Sequence, residues 1–365
     1  MTEYEETEED KVEDQTDSDD TVGAFQYDIS SFGADYDVEG LVKRLNRGDI
    51  LIPSFQREYV WTMAEASRFI ESLLLGLPVP GIFLACETES NKLIVIDGQQ
   101  RLKSLQFFYS GLFNPKPDEN LRRIFKLSNV QNVFEGRTYE ELNEKDRVFL
   151  DNSIIHATII KQESPKHDSS SIYHVFERLN TGGRKLEPQE IRSAIYHGRF
   201  LERIEKINKN ELWRKIFGKL HSRLKDRELI LRFFAFYYSW KEYSRPMKEF
   251  LNTFLAVNRN PPDEFLQGCE NLFDSCIEII FSSIGNKAFR IGKSSINAAV
   301  FDSVTVGLAT RLTSDSRPVD TAKLRTLYAV LLTDSEYISF ISQSTASEAS
   351  VFGRMRRATE AFQLI

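Results

Sequence analysis

The sequence predicts an α+β fold, with a small mixed α/β domain followed by an all-helical domain. Three observations predict it. Short β-branched and aliphatic runs at 50–52, 82–86, 92–96 and 154–160 are interleaved with amphipathic stretches through the first half of the chain. From Ser169 onward the apolar spacing is helical nearly to the end. An apolar fraction of 41% with 12% aromatics over 365 residues supplies core for one large or two ordinary domains. The expected organisation is an acidic, disordered tail over 1–24, an α/β domain over 25–200 and a helical domain over 201–365.

The elements follow in order. Asp37 can cap a short helix that turns Val38, Leu41, Val42 and Leu45 inward and stops at Gly48. The strand at 50–52 is cut by Pro53, and a polar, aromatic loop Ser54-Phe55-Gln56-Arg57-Glu58-Tyr59-Val60-Trp61 follows. Thr62 and Glu65 have capping-box spacing before a helix that buries Phe69, Ile70, Leu73 and Leu74. Leu77-Pro78-Val79-Pro80 forces an extended segment. The strands at 82–86 and 92–96 read as a hairpin or sheet pair leading into Asp97, and 112–150 as an insertion of short helices. A helix carrying Ile172, Val175, Phe176 and Leu179 stops at Asn180-Thr181-Gly182-Gly183. The next opens at Pro188 and ends at Gly198.

The net charge of -7 conceals an asymmetry. Residues 1–20 hold eleven acids against Lys11; with these set aside, 43 acids face 46 bases. The body is slightly basic, and the tail is either a solubilising leader or a shield for a basic groove or partner. Three cysteines (Cys86, Cys269, Cys276) form no CxxC pair, so neither a disulfide framework nor a zinc site is indicated. The acidic start is unlike a signal peptide, and no apolar run approaches the roughly 20 residues of a membrane span. The expected setting is the reducing cytoplasm, with no membrane partner.

The most informative stretch is Asp97-Gly98-Gln99-Gln100-Arg101-Leu102. A strand stops at Asp-Gly and a helix starts at once, which places an arginine and helix N-terminal N–H groups where anions bind. Arg101 offers a forked guanidinium to phosphate oxygens, helped by the helix dipole. Gln99 and Gln100 suit the orienting of a water or a γ-phosphate oxygen. Asp97 could hold magnesium through one carboxylate oxygen. The plain alternative is a turn shaped by Asp97 and an ordinary helix. Arg57, with Gln56 beside it, would be a second phosphate clamp, or a solvated loop charge. Arg178, Asn180 and Thr181 belong to a Thr-Gly-Gly helix stop that can also expose amides to an anion. Glu190 suits a helix N-terminus without any catalytic task. Phe233, Phe234 and Phe236 read as core rather than base-stacking surface.

Taken together, Phe55-Gln56-Arg57 before Trp61, Leu75-Gly76-Leu77-Pro78-Val79-Pro80, the Asp97 to Leu102 stretch, and Phe176-Glu177-Arg178-Leu179-Asn180-Thr181-Gly182-Gly183 followed by Pro188-Gln189-Glu190-Ile191-Arg192 resemble the N-terminal domain family of GmrSD-type restriction endonucleases. The resemblance spans roughly residues 35 to 200. Beyond it, Leu231-Arg232-Phe233-Phe234 and Asn297-Ala298-Ala299-Val300-Phe301-Asp302 resemble the helical extension of such proteins. The resemblance implies a ParB/sulfiredoxin-like fold, in which Gly98-Gln99-Gln100-Arg101 is similar to a G-x-x-R phosphate-binding turn. It further implies binding of a nucleoside triphosphate with Mg2+, and hydrolysis in several members, coupled to cleavage of modified or foreign DNA.

The sequence departs from the full system. Its five histidines (His156, His167, His174, His197, His221) form no HNH metal-finger pattern, so DNA cleavage is expected from a separate nuclease chain. No G-x-x-x-x-G-K-[ST] loop occurs. The expectation is an NTP-binding, NTP-hydrolysing component of a restriction or phage-defence system that switches a partner nuclease. The alternative is a non-catalytic DNA-binding or nuclease-docking module of the same fold.

Overall fold

The computed structural model describes residues 12–13, 28–52, 59–87, 92–114, 123–164, 173–175, 177, 187–292 and 295–365. They fall into two compact units. One comprises Gln26–Leu186 with Ser193–Ile195; the other comprises Glu187–Arg192 and Tyr196–Ile365, joined by the short strand β1 (Val12–Glu13).

The first unit is built on a five-stranded mixed sheet. Its strands are β2 (Asp28–Asp37), β3 (Ile50–Leu51), β4 (Ile82–Cys86), β5 (Leu93–Asp97) and β6 (Ile154–Ser164), in the spatial order β2-β6-β4-β5-β3. The β2/β6 and β4/β5 pairs are antiparallel, whereas β4/β6 and β3/β5 are parallel. The alternation of β6 sends Ile155, Ala157 and Ile159 into the core with Ile82, Leu84, Leu93 and Val95. Against them pack α1 (Val38–Arg47), α2 (Met63–Leu74) and α3 (Gln99–Ser110).

The local grammar of these helices is as the sequence predicts. Asp37 accepts from the Gly40 N–H at 2.6 Å, and α1 stops at Gly48 in the left-handed region with Val38, Leu41, Val42 and Leu45 buried. Thr62 and Glu65 close both halves of a capping box, at 3.2 and 2.7 Å. The mixed α/β unit and the helical region after it confirm the predicted fold class.

Three details differ. The strand β5 runs one residue further, to Asp97, and β6 runs to Ser164 because its polar end continues to pair with β2. The 112–150 segment is mostly turns among its described residues, with one helix, α4 (Glu144–Asp151). Aromatic packing organises it instead of helix formation: Phe108, Phe113 and Phe125 meet edge to face at 5.1 to 5.2 Å. The Tyr109 and Tyr139 hydroxyls both donate to Asp151 Oδ1, at 2.5 and 2.9 Å. Burial and that carboxylate push the Tyr139 phenol up to about 12.

The second unit is largely helical, but not wholly so. Strand β1 pairs in parallel with β7 (Ile296–Asn297), through Val12↔Ile296 and Glu13↔Asn297. Two residues of the acidic tail are thus held in a strand, which corrects the expectation of disorder throughout 1–24. The helix that opens at Pro188 ends at Ile195, and Gly198 caps the next helix, Arg199–Ile207. Phe233, Phe234 and Phe236 are fully buried, as expected of core. Phe233 packs on Phe273, which meets Trp213, which in turn packs on Phe301.

Two stretches quoted above for the helical extension meet here. Arg232 Nε and Nη2 donate to Asp302 at 3.0 and 2.6 Å, and Arg354 Nη2 reaches the same carboxylate at 3.2 Å. All three side chains are buried. The Gln189 to Arg192 motif contributes a second buried group. Arg192 donates to Asn252 Oδ1 at 3.0 Å and Gln189 Oε1 at 3.1 Å, and lies 3.7 Å from Glu228. Burial opposes the Glu228 charge, yet Lys225, Arg192 and Arg232 together hold its carboxyl below the ordinary glutamate range.

Candidate functional site

The β5–α3 junction carries Asp97, Gly98, Gln99, Gln100 and Arg101, five of the candidate residues named from the sequence. Gly98 has φ 104° and ψ 8°, which lets the strand turn into a helix without a spacer. A Cβ at this position would lie 2.5 Å from Ile82 Cγ2, so the turn also rests directly on the β4 strand. The helix α3 begins with no side-chain cap, and its first intrahelical bond runs from Leu102 N to Gly98 O at 3.0 Å.

Arg101 sits in the first turn, one face of its fork against the sheet end. Its Nη2 donates to Asp97 Oδ2 at 2.7 Å and its Nη1 to the Pro80 carbonyl at 3.2 Å. The Arg101 side chain is only 13% exposed while that of Asp97 is 54% exposed, so the guanidinium is shielded and its anionic partner faces water. A weakly hydrated, bidentate cation in a shielded position binds anions better than the same group in bulk solvent. The single half-exposed carboxylate of Asp97 fits the habit of magnesium, which takes one protein carboxylate and completes its octahedron with waters and phosphate oxygens. Among the described residues no three His, Cys, Asp or Glu side chains cluster as a metal site of their own.

The two glutamines are placed differently from one another. Gln99 is buried. The Gln100 amide oxygen accepts from the Val60 N–H at 3.0 Å and the Trp61 N–H at 3.3 Å. One turn on, Ser104 Oγ meets the Tyr59 hydroxyl at 2.7 Å. Burial pushes the Tyr59 phenol up to about 12, countered in part by that Ser104 hydrogen bond. Sequence reasoning assigned no role to Tyr59, Ser104 or the Pro80 carbonyl. The only available signal was the i, i+4 spacing of Gln100 and Ser104 on one helix face.

Asp97, Gly98, Gln99, Gln100 and Arg101 are therefore in one place, and Val60 and Trp61 adjoin them through Gln100. Gln56 and Arg57 themselves, and Arg178, Asn180 and Thr181, lie outside the described residues. Glu190 accepts from the Glu187 N–H at 2.6 Å and from Arg223 Nη2 at 2.8 Å, a capping and pairing role. Cys86 is partly buried against the core, whereas Cys269 and Cys276 are fully buried and their thiols are pushed up by that burial.

A five-stranded mixed sheet with an acid–glycine turn feeding a shielded arginine defines a small α/β domain. The comparison with known families makes this specific. Residues 38–197, from the start of α1 to just past the Pro188–Ile195 helix, match the family described as "GmrSD restriction endonuclease, N-terminal domain". The chain carries a domain of this family. It is also 28% identical over 137 residues to an uncharacterised protein of Methanocaldococcus jannaschii, covering 31% of this chain and 21% of that protein. The chain thus spans about a fifth of the length of that relative. No helix among the described residues is long and apolar enough to cross a membrane.

Proposed function

We propose that the α/β unit binds the phosphates of a nucleoside triphosphate at the Asp97–Arg101 turn, and that binding and hydrolysis there switch a partner nuclease in DNA restriction or phage defence. One observation carries the reading. A carboxylate oxygen lies 2.7 Å from the shielded Arg101 guanidinium at the start of an uncapped helix, in the place a phosphate oxygen would take.

In this reading Arg101 binds the phosphate, and the helix N-terminal N–H groups of α3 add their partial positive charge. Gly98 lets the phosphate approach the backbone closely. Asp97 is the residue that would hold Mg2+ through one carboxylate oxygen, and the ion would supply charge neutralisation for the phosphate oxygens. Gln99 takes the catalytic, water-orienting place, with Gln100 beside it. Gln56 and Arg57 form the second clamp, and Arg178, Asn180 and Thr181 the third contact. The family name supports the restriction setting, and a separate nuclease chain and DNA are the proposed partners, in the cytoplasm.

A second reading has its own observation. Both ends of the Arg101 fork are engaged, by Asp97 and by the Pro80 carbonyl, as in a purely structural clamp. The domain would then be a DNA-binding or nuclease-docking module. Titration with GTP, ATP, CTP and UTP in the presence of Mg2+, for the wild-type chain and Arg101→Ala, separates the two. Saturable binding that the substitution abolishes supports the first, and its absence in the wild-type chain supports the second.

A further inference from the structure

The face of the sheet opposite the core is open at the end that holds the turn. On β6, Ile155, Ala157 and Ile159 go to the core, so His156 and Thr158 lie on the other face. There the pairings Asp97↔Phe83, Phe83↔Thr158 and Thr158↔Gly33 form a row across four strands, and none of its members is buried. One row further in, Ile94, Ala85 and Ile160 are buried. A register shift sets Asp97 opposite Phe83 although Val95 stands opposite Leu84, and a bulge of this kind re-aims a side chain at the end of a strand.

Beside this row stands a paired histidine. His156 Nδ1 donates to Asp35 Oδ1 at 2.8 Å, since a carboxylate can only accept. Both side chains are exposed. The ring leans over bare backbone: a Cβ on Gly33 would lie 2.7 Å from His156 Cε1 and 3.2 Å from its Nε2. A neutral ring held this way presents Nε2 as an acceptor, at the far end of the row that begins with Asp97. His156 also adjoins the turn through the backbone. The Pro80 carbonyl accepts from Arg101 Nη1, and a Cβ on the next residue, Gly81, would lie 2.8 Å from the His156 carbonyl oxygen. From Asp97 to Gly33 the row crosses three strand spacings, about 14 Å, which a phosphate chain with its sugar can span.

We infer that His156, oriented by Asp35, reads the sugar of a nucleotide whose phosphates occupy the Asp97–Arg101 turn. Its Nε2 accepts a hydrogen bond from a ribose hydroxyl, and the nucleotide lies across Phe83 and Thr158. The inference rests on the nucleotide reading and adds to it a discrimination between sugars. The chemistry is that of an acceptor held at a fixed distance from the strand. A glutamine side chain can place its amide oxygen there, whereas alanine offers no acceptor.

The test uses the full chain, with the fold of each variant checked by circular dichroism. The probes, all with Mg2+, are whichever of GTP, ATP, CTP and UTP binds most tightly, its 2′,3′-dideoxy analogue, and inorganic tripolyphosphate. The wild-type chain should prefer the ribonucleotide to the dideoxy analogue by about three- to tenfold, the share of one hydrogen bond. His156→Ala should abolish that preference by weakening the ribonucleotide alone, with the tripolyphosphate affinity unchanged. His156→Gln should retain part of it. A preference that is absent from the wild type, or kept in His156→Ala, overturns the sugar contact. Equal weakening of all the probes overturns it too, since His156 would then act on the turn rather than on the sugar. A glutamine no better than alanine overturns the acceptor role of Nε2. Binding of tripolyphosphate and nucleotide without sugar preference leaves the nucleotide reading standing and defeats only the inference. Binding of none of the probes by the wild-type chain defeats that reading and the inference with it.

Discussion

Replacing Gly98 with alanine tests the turn without reference to any ligand. The residue sits at φ 104°, and an added Cβ would stand 2.5 Å from Ile82 Cγ2 and 3.0 Å from Ile82 Cβ. Ile82 is fully buried on a strand flanked by β5 and β6, so it has no room to retreat. The backbone term for a side chain at positive φ is about 1–2 kcal/mol. Overpacking of a filled core adds about 1–3 kcal/mol. The reduced freedom of the unfolded chain returns about 0.4–1 kcal/mol. The expected net loss is about 2–4 kcal/mol, or roughly 5–15 °C in the Tm of a unit of this size. Gly111→Ala is the matched control. It has φ 74° with nothing within 4 Å of the added Cβ, so it carries the backbone term alone, about 1 kcal/mol. Calorimetry of the two variants isolates the steric term as their difference. Equal losses at Gly98 and Gly111 would refute the close packing of the turn on β4.

Three further outcomes follow from the helical unit. Asp302→Ala leaves the buried Arg232 and Arg354 without their shared carboxylate, and should cost about 3–5 kcal/mol in urea unfolding; a loss under 1 kcal/mol would show that the arginines find water. Glu228 is held below its ordinary range, so the stability it contributes is complete above about pH 4.5 and is lost as pH falls through its folded value. Glu228→Gln should therefore flatten the acid limb of the stability profile, and an unchanged limb would contradict the pairing. Deleting residues 1–22 removes the two-residue β1/β7 pairing, and should lower stability by no more than about 1–2 kcal/mol. A larger loss would mean that the tail is docked along more of its length.

How much the sequence discloses depends on how far apart the interacting residues are. Caps, helix stops and the hairpin are local, three or four residues wide, and Asp37, Thr62 with Glu65, and Gly48 stand where their spacing places them. The Asp97–Arg101 ion pair is equally local, four apart on one turn, but the sequence reading directs Asp97 to magnesium and Arg101 to phosphate and names no pair between them. What Gln100 does is not legible, because its partners Val60 and Trp61 are about forty positions away. Asp302 finds Arg232 across 70 positions, so two motifs that seemed unrelated prove to be halves of one ion pair. The short β1 strand lies in an acidic stretch with no apolar alternation, and only its pairing with β7 reveals it. The 112–150 segment misleads because its aromatics act through clustering rather than through helical periodicity.

The proposed function stands or falls with phosphate binding at the Asp97–Arg101 turn. The most direct measurement is calorimetric titration of Mg-nucleotide into the wild-type chain and into Arg101→Ala, with the fold of each checked by circular dichroism. Saturable binding is expected in the wild type and a loss of at least a hundredfold in the folded variant, since a charge-assisted bidentate contact contributes about 3 kcal/mol. Equal affinity in the two proteins would contradict it and leave Arg101 as a clamp between Asp97 and the Pro80 carbonyl.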